Sequence, residues 1–248
     1  MNSTNEHISI KNLIKIYKRG TVEVTALRGI NLAVQRGEFI AIVGSSGSGK
    51  TTLMNIIGGI STPTAGNIVI NGEDISDYHP NQLVSYRKNT IGFLWQIANL
   101  LPDLNVEENL RLTMLASRKF SKKSMKERVD DLLEVVKMTH RKDHRPSQLS
   151  GGELQRAALA VALANDPEII LADEPTGELD TETGEVIMNY LKDIANRKLG
   201  KTLIVVTHAL EVAELADRAV VIHDGVLISQ RRGMESYLVM DPQGKIQF

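Results

Sequence analysis

Residues 44–51 read GSSGSGKT, with Thr52 following, and constrain this chain more than any other segment. They sit between a short apolar run at 39–43 (FIAIV) and a helical pattern at 52–60 (TLMNIIGGI). A buried strand that runs into a glycine-rich loop and then a helix suits one kind of ligand. The glycines let the backbone curl so that successive N–H groups point inward at phosphate oxygens. A helix that begins there adds about half a positive charge at its N-terminus. In that arrangement Gly44, Ser45, Ser46, Gly47, Ser48 and Gly49 form the cradle, and Lys50 bridges the β- and γ-phosphates. The Thr51 hydroxyl ligates Mg²⁺, with Thr52 beside it. A flexible Gly/Ser loop is the plain alternative, and the flanking strand and helix argue against it.

Composition narrows the setting. Lys and Arg number 29 against 30 Asp and Glu in 248 residues, a net charge of −1, which argues against a nucleic-acid binder working through a basic face. Hydrophobic residues at 42% and charged residues at 24% exclude disordered and collagen-like chains. The absence of cysteine excludes disulfides, Fe–S clusters and thiolate zinc sites. The longest apolar stretch, 157–164, falls short of the roughly 20 residues of a membrane span. The first ten residues (MNSTNEHISI) carry no basic segment followed by an apolar one. The expectation is a soluble chain without a leader, for which any membrane span comes from another polypeptide.

Along the chain, Ile8, Ile10 and Leu13, then Val24, Leu27, Ile30 and Leu32, read as an antiparallel β region continued by 67–71 (NIVIN). Short apolar runs at 39–43, 169–172 (IILA), 202–206 (TLIVV) and 219–223 (AVVIH) alternate with helical patterns, as the buried strands of a parallel sheet do. Between 97 and 165 no strand pattern appears. Met125, Val129, Leu132, Leu133 and Val136 recur at helical spacing there. The expected fold is an α/β core with a parallel sheet, an N-terminal antiparallel β region and an inserted helical lobe. The core takes residues 1–96 and 166–228, the lobe 97–165, and a tail 229–248. In that tail 237–240 (YLVM) and 245–248 (KIQF) read as two strands around a DPQG turn.

Two acids end the run IILADE. Beside a phosphate loop, Asp173 is placed to orient Mg²⁺ and Glu174 to activate the water that attacks the γ-phosphate. A strand end with a capping acid is the alternative. Upstream lies LSGGELQR at 149–156, a Ser-Gly-Gly at the start of a helical run and thus a second helix end suited to an anion. Ser150 with Glu153 three residues on also reads as a capping box, which accounts for the helix start but not for the paired glycines Gly151 and Gly152.

LSGGELQR resembles the signature sequence of ABC-type ATPases, and it precedes the acidic strand as in that family. The resemblance extends over nearly the whole chain and implies further roles. Gln96, in IGFLWQIANLLP, matches the glutamine that touches Mg²⁺ or the attacking water and reports to a membrane partner. His208, in VVTH, matches the histidine that contacts the γ-phosphate, and Tyr17 the aromatic that stacks on adenine. Residues 177–180 (GELD) match the loop that crosses to a second subunit. The resemblance implies an Mg²⁺-dependent ATPase whose subunits pair head to tail, Ser150, Gly151 and Gly152 of one capping ATP on Lys50 of the other. It also implies an integral membrane permease as partner and a place at the cytoplasmic face of the cell membrane.

Within the family, TVEVTALRGINL, GFLWQIANLLPDLNVEENL, HRPSQLSGGELQR and LADEPTGELD resemble the lipoprotein-release, macrolide-efflux and peptide-export branch (LolD and MacB). That branch implies a four-helix permease with a large extracytoplasmic domain. The chain departs from it at Trp95, at Glu178 and at Ala209. A soluble ABC ATPase acting on chromosomes or ribosomes is the rival. It is disfavoured because the lobe is too short for a long coiled coil and only one ATPase unit is present. Two readings stand for the basic cluster Arg118, Lys119, Lys122, Lys123, Lys126 and Arg128, a solvated helix face or an attraction to anionic membrane. For the tail, a sheet extension and a partner contact both stand.

Overall fold

The computed structural model describes residues 6–232 and 235–238. In chain order the elements are β1 (Glu6–Arg19), β2 (Val22–Gln35), β3 (Phe39–Val43), α1 (Lys50–Ile57), β4 (Ala65–Ile70), β5 (Glu73–Asp74), α2 (Pro80–Thr90) and β6 (Ile91–Leu94). Then come α3 (Val106–Ser117), α4 (Lys122–Val135), α5 (Gly151–Leu163), β7 (Ile169–Asp173), α6 (Thr181–Leu191), β8 (Thr202–Thr207), α7 (Leu210–Leu215), β9 (Arg218–His223), β10 (Val226–Arg232) and β11 (Glu235–Leu238). The chain forms two compact units, Met1–Val84 with Ile204–Phe248, and Ser85–Leu203.

In the first unit β1 and β2 make a long antiparallel hairpin, extended through β4 and β5 in the order β2-β1-β4-β5. In a regular strand Ile8 and Ile10 would face one way and Leu13 the other. All three are buried, because the register with β2 shifts between Ile10 and Leu13. Asn12 sits at that bulge with φ 49°, its N–H donating to the Asn31 side chain at 2.9 Å. The extra residue returns Leu13 to the core.

The same unit carries the strand order β11-β10-β9-β3-β8. β3 runs parallel to β9, while β10 pairs antiparallel with β9 and with β11. Every residue of β3 and of β8 is buried, as expected of strands covered on both faces. The β9–β10 turn feeds back on the phosphate loop, since the Gly225 N–H donates to the Ser48 carbonyl at 2.9 Å. The strand expected at 237–240 is Glu235–Leu238, paired with β10. Residues 239–248, including the second strand expected at 245–248, lie outside the described residues.

In the second unit β6 and β7 pair in parallel, Ile91 with Ile169 through Leu94 with Ala172. The expected stripe on α4 is buried throughout: Met125, Val129, Leu132, Leu133 and Val136. Leu110 and Met114 of α3 and Leu159 and Leu163 of α5 are buried as well. α3 starts with a capping box, the Glu108 N–H donating to Asn105 at 2.8 Å and the Asn105 N–H to Glu108 at 2.9 Å. Part of the basic cluster is spent inside this unit. Arg128 donates to the Leu163 carbonyl at 3.0 Å, and Lys119 to the Asn165 carbonyl at 3.4 Å, where α5 exposes its negative end. Asp166 completes the knot through Lys201 at 2.7 Å and Arg128 at 3.5 Å.

Candidate functional site

The phosphate loop lies in the first unit. Gly49 caps α1 with φ 108°, and a Cβ there would stand 2.6 Å from the Ala26 carbonyl oxygen, so both backbone angle and space demand glycine. At Gly44 a Cβ would run into the carbonyl oxygen of Ile222. The loop is thereby pinned to β2 on one side and β9 on the other. Ser45, Ser46 and Gly47 are exposed, and no acid stands in the first turn of α1 to oppose an anion. Lys50 is buried and donates from Nζ to the carbonyls of Gly44 at 2.8 Å and Ser45 at 2.9 Å. Its ammonium therefore lies inside the loop that it would serve. Thr51 is exposed and Thr52 half-buried at the start of the same helix. The Ser48 hydroxyl oxygen is buried without a hydrogen-bond partner.

Two other expected residues share this unit. Tyr17 pairs across the hairpin with Val24, two residues from Ala26, whose carbonyl lies against Gly49. Its ring is 43% exposed, with the Lys15 ammonium 5.1 Å from the ring centroid. An exposed aromatic close in the chain to that contact suits a stacking base. His208 is exposed at the end of β8, the strand next to β3.

The second unit holds the other expected groups. Asp173 ends β7 half-buried. Glu174 follows with φ 45°, in the left-handed region that a long side chain seldom adopts. Ser150 caps α5. Its Oγ accepts from the Glu153 N–H at 3.3 Å, and its own N–H donates to Glu153 Oε2 at 2.9 Å. The capping box is present, yet it uses the Ser150 hydroxyl only as an acceptor and leaves the O–H as a donor. Ser150 and Gly151 are exposed. The structure thus shows the capped helix start, and the O–H left as a donor is compatible with the anion-receptive reading of LSGGELQR.

An acid beside a proposed anion site needs explanation. Glu153 accepts from Arg141 Nε at 2.8 Å, and the Ser150 N–H with Arg141 holds its carboxyl at about 2 rather than the ordinary 4.5. The Glu153 charge is thus committed to its own helix end and to Arg141. A depressed carboxylate stabilises the fold fully above its unfolded value and ceases to as pH falls through its folded value. Glu153→Ala is expected to cost about 1 kcal/mol at neutral pH, roughly 2–4 °C in melting temperature. The gap from the parent should close as pH falls from 4.5 toward about 2. Thermal melts across that range check it.

Sequence reasoning missed how Gln96 is held. Its carbonyl accepts from the buried Gln155 Nε2 at 2.9 Å, and its own Nε2 donates to Glu178 Oε1 at 3.2 Å. Gln155 lies in α5, so the signature helix touches the backbone beyond β6. No periodicity marks such pairs, which lie 59 and 82 residues apart. Trp95 stacks on Phe93 with ring centroids 4.8 Å apart, two residues along the same face. The proposed metal donors, the Thr51 hydroxyl, Asp173 carboxylate and Gln96 amide oxygen, are all hard oxygen groups, a set that fits Mg²⁺.

The profile of the family described as ABC transporter matches residues 27–177. An uncharacterized ABC transporter ATP-binding protein of Thermotoga maritima is 47% identical over 221 residues, covering 89% of this chain and 93% of the relative. The macrolide export ATP-binding/permease protein MacB of Brucella melitensis is 45% identical over 222 residues, which is 90% of this chain but 34% of MacB. The chain therefore spans about a third of that relative. Among solved structures, the dimeric post-hydrolysis state of the ATP-binding cassette MJ0796 bound to ADP and Pi aligns with TM-score 0.82 at 40% identity, covering 91% of this chain and 98% of that one. CbiO1 from Clostridium perfringens, part of the ABC transporter complex cbiONQ, aligns with TM-score 0.83 at 29% identity, covering 92% and 89%. With a family match over more than half its length and near full-length relatives, the chain belongs to the ABC transporter family, as an ATP-binding domain that hydrolyses ATP.

Proposed function

We propose that this chain is the ATPase subunit of a membrane complex, in which ATP draws two copies together at the cytoplasmic face to drive a separate permease. The observation that carries this reading is the second anion-receptive helix end. The α5 start presents the Ser150 hydroxyl and Gly151, both exposed. A helix end with a hydroxyl donor and exposed glycine suits an anion, and the resemblance to ABC-type ATPases makes that anion the triphosphate of a second copy. The dimeric MJ0796 structure with ADP and Pi supports the pairing.

In this reading Lys50 and the 44–49 cradle hold the β- and γ-phosphates, Tyr17 stacks on adenine, and His208 contacts the γ-phosphate. Glu174 accepts the proton of the attacking water. Thr51, Asp173 and Gln96 would hold Mg²⁺, which when bound would offset the charge of the triphosphate. Ser150, Gly151 and Gly152 of the second copy donate to the same triphosphate and exclude water from it. ATP thus binds the closed pair better than the open one, and that difference is the work available to a partner.

A membrane partner is supported by four exposed large apolar side chains within a few turns after Gln96. Ile97 is 74% exposed, Leu101 48%, Leu112 45% and Leu115 59%. Among the described residues no helix is long and apolar enough to cross a membrane. The permease is expected to be of the lipoprotein-release, export or mechanical type, given the likeness to MacB. The test is native co-purification of the tagged chain from detergent-solubilised host membranes with ATP and Mg²⁺. A four-span partner with a large outer domain is the expected result. A partner with six or more spans per subunit points to conventional transport across the bilayer. A chain that dimerises on ATP yet brings down no membrane protein overturns the permease reading in favour of a soluble ABC ATPase.

A further inference from the structure

We propose that Glu178 is a positioning residue that sets the orientation of the Gln96 carboxamide and so commits its oxygen to the metal. The inference rests on the reading of Gln96 as a metal-facing group.

A side-chain amide presents oxygen on one side and nitrogen on the other, and rotation by half a turn exchanges them. An ionised carboxylate only accepts hydrogen bonds. Glu178 Oε1 lies 3.2 Å from Gln96 Nε2, so the amide must turn its nitrogen to Glu178, because the flipped amide would set oxygen against oxygen. Oε1 then points away from the carboxylate and is left for a hard cation.

Two further contacts reduce the freedom of Gln96 to this one choice. The buried Gln155 fixes its backbone carbonyl at 2.9 Å. Gly177 forms the floor under the amide, since a Cβ there would stand 2.9 Å from Nε2 and 3.3 Å from Cδ. With backbone held and floor flat, the remaining variable is which end of the amide faces Glu178. Glu178 and Gln96 are both exposed, so the bond is modest in energy and acts as a bias on orientation.

The test uses the full chain as Glu178→Ala, Glu178→Gln and Gln96→Ala, each also carrying Glu174→Gln so that ATP stays intact. Mn²⁺ titrated by electron paramagnetic resonance into the ATP-bound chain reads the metal site without turnover. Glu178→Ala is expected to weaken Mn²⁺ binding about three- to tenfold, the scale of one ordinary hydrogen bond. Affinity for ATP without metal and the melting temperature should not move. Glu178→Gln, whose amide accepts either orientation of Gln96, should fall between. In a Gln96→Ala background, Glu178→Ala should add nothing. If Gln96→Ala itself leaves Mn²⁺ affinity unchanged, the metal-facing reading of Gln96 fails. If Gln96→Ala weakens it and Glu178→Ala does not, the positioning role alone is overturned. If Glu178→Ala lowers the melting temperature along with Mn²⁺ affinity, its role is structural and the proposal falls.

Discussion

Glu174→Gln is expected to lose ATP turnover by about 10²- to 10⁴-fold, the usual contribution of a positioned general base. It should bind ATP normally and accumulate as a dimer. The side chain keeps its size and hydrogen-bonding reach but can no longer take a proton, so binding and chemistry separate. The backbone singles this residue out. Among non-glycine residues with positive φ, Asn12, Asn71, Asp166 and Asp224 are of the types that tolerate it. Arg118 caps the end of α3, and Lys137 lies just past α4, where helices commonly turn left-handed. Glu174, at φ 45°, instead follows the buried strand β7, and its carbonyl accepts from the Gly177 N–H at 2.9 Å to close the turn. Strain of that sort costs about 1–3 kcal/mol and survives where the surroundings impose it, often at reacting sites. ATPase rates and size-exclusion runs with ATP, with and without Mg²⁺, decide the matter. Parental turnover in Glu174→Gln would mean that the water is activated elsewhere. Lost turnover without a dimer would separate the base assignment from the pairing.

The groups that act through neighbours in sequence were legible from the chain itself. GSSGSGKT after FIAIV, and Ser150 with its two glycines before ELQR, state their chemistry within eight residues, because a helix end and the loop before it are local structures. The strands FIAIV and TLIVV were equally plain, since a strand buried on both faces must be apolar throughout. Less legible were elements with weak patterns. In α2 only Leu83 and Tyr86 are buried, too sparse a stripe to mark a helix, although Pro80 at its first position was a usable signal. Long-range polar pairs were invisible. Nothing in the order of residues ties Gln155 to the Gln96 carbonyl, or Glu178 to its amide, because a hydrogen bond across 59 or 82 residues leaves no period. Those pairs fix how Gln96 is held. The residue types of a site are thus readable earlier than the contacts that orient them.

Arg218→Leu is expected to destabilise the chain by about 3–5 kcal/mol, because it leaves a buried carboxylate without its counter-charge. Arg218 and Glu38 are 8% and 7% exposed and meet through two bonds, Nε to Oε1 at 2.7 Å and Nη2 to Oε2 at 3.0 Å. Arg218 also donates to Gln230 at 3.0 Å and to the Ala33 carbonyl, while Glu38 Oε2 accepts from the Gln35 N–H at 2.8 Å. At roughly 2–4 °C per kcal/mol for a chain of this size, melting should fall by about 6–20 °C. The loss should reach the nucleotide as well. Arg218 opens β9 opposite Ile40 of β3, β3 leads into Gly44, and Gly44 is packed against the Ile222 carbonyl further along β9. Loosening the first contact of that pair of strands loosens the seat of the phosphate loop, so weaker ATP binding should accompany the lower melting temperature. The double variant Glu38→Leu/Arg218→Leu separates the causes. If an orphaned charge is the main cost, the double variant should recover most of the loss, since a buried pair replaced by apolar groups is often neutral. If the double variant melts as low as Arg218→Leu, the bonds to Ala33 and Gln230 carry the stability instead, and the ion pair serves mainly to hold Arg218 where it can make them.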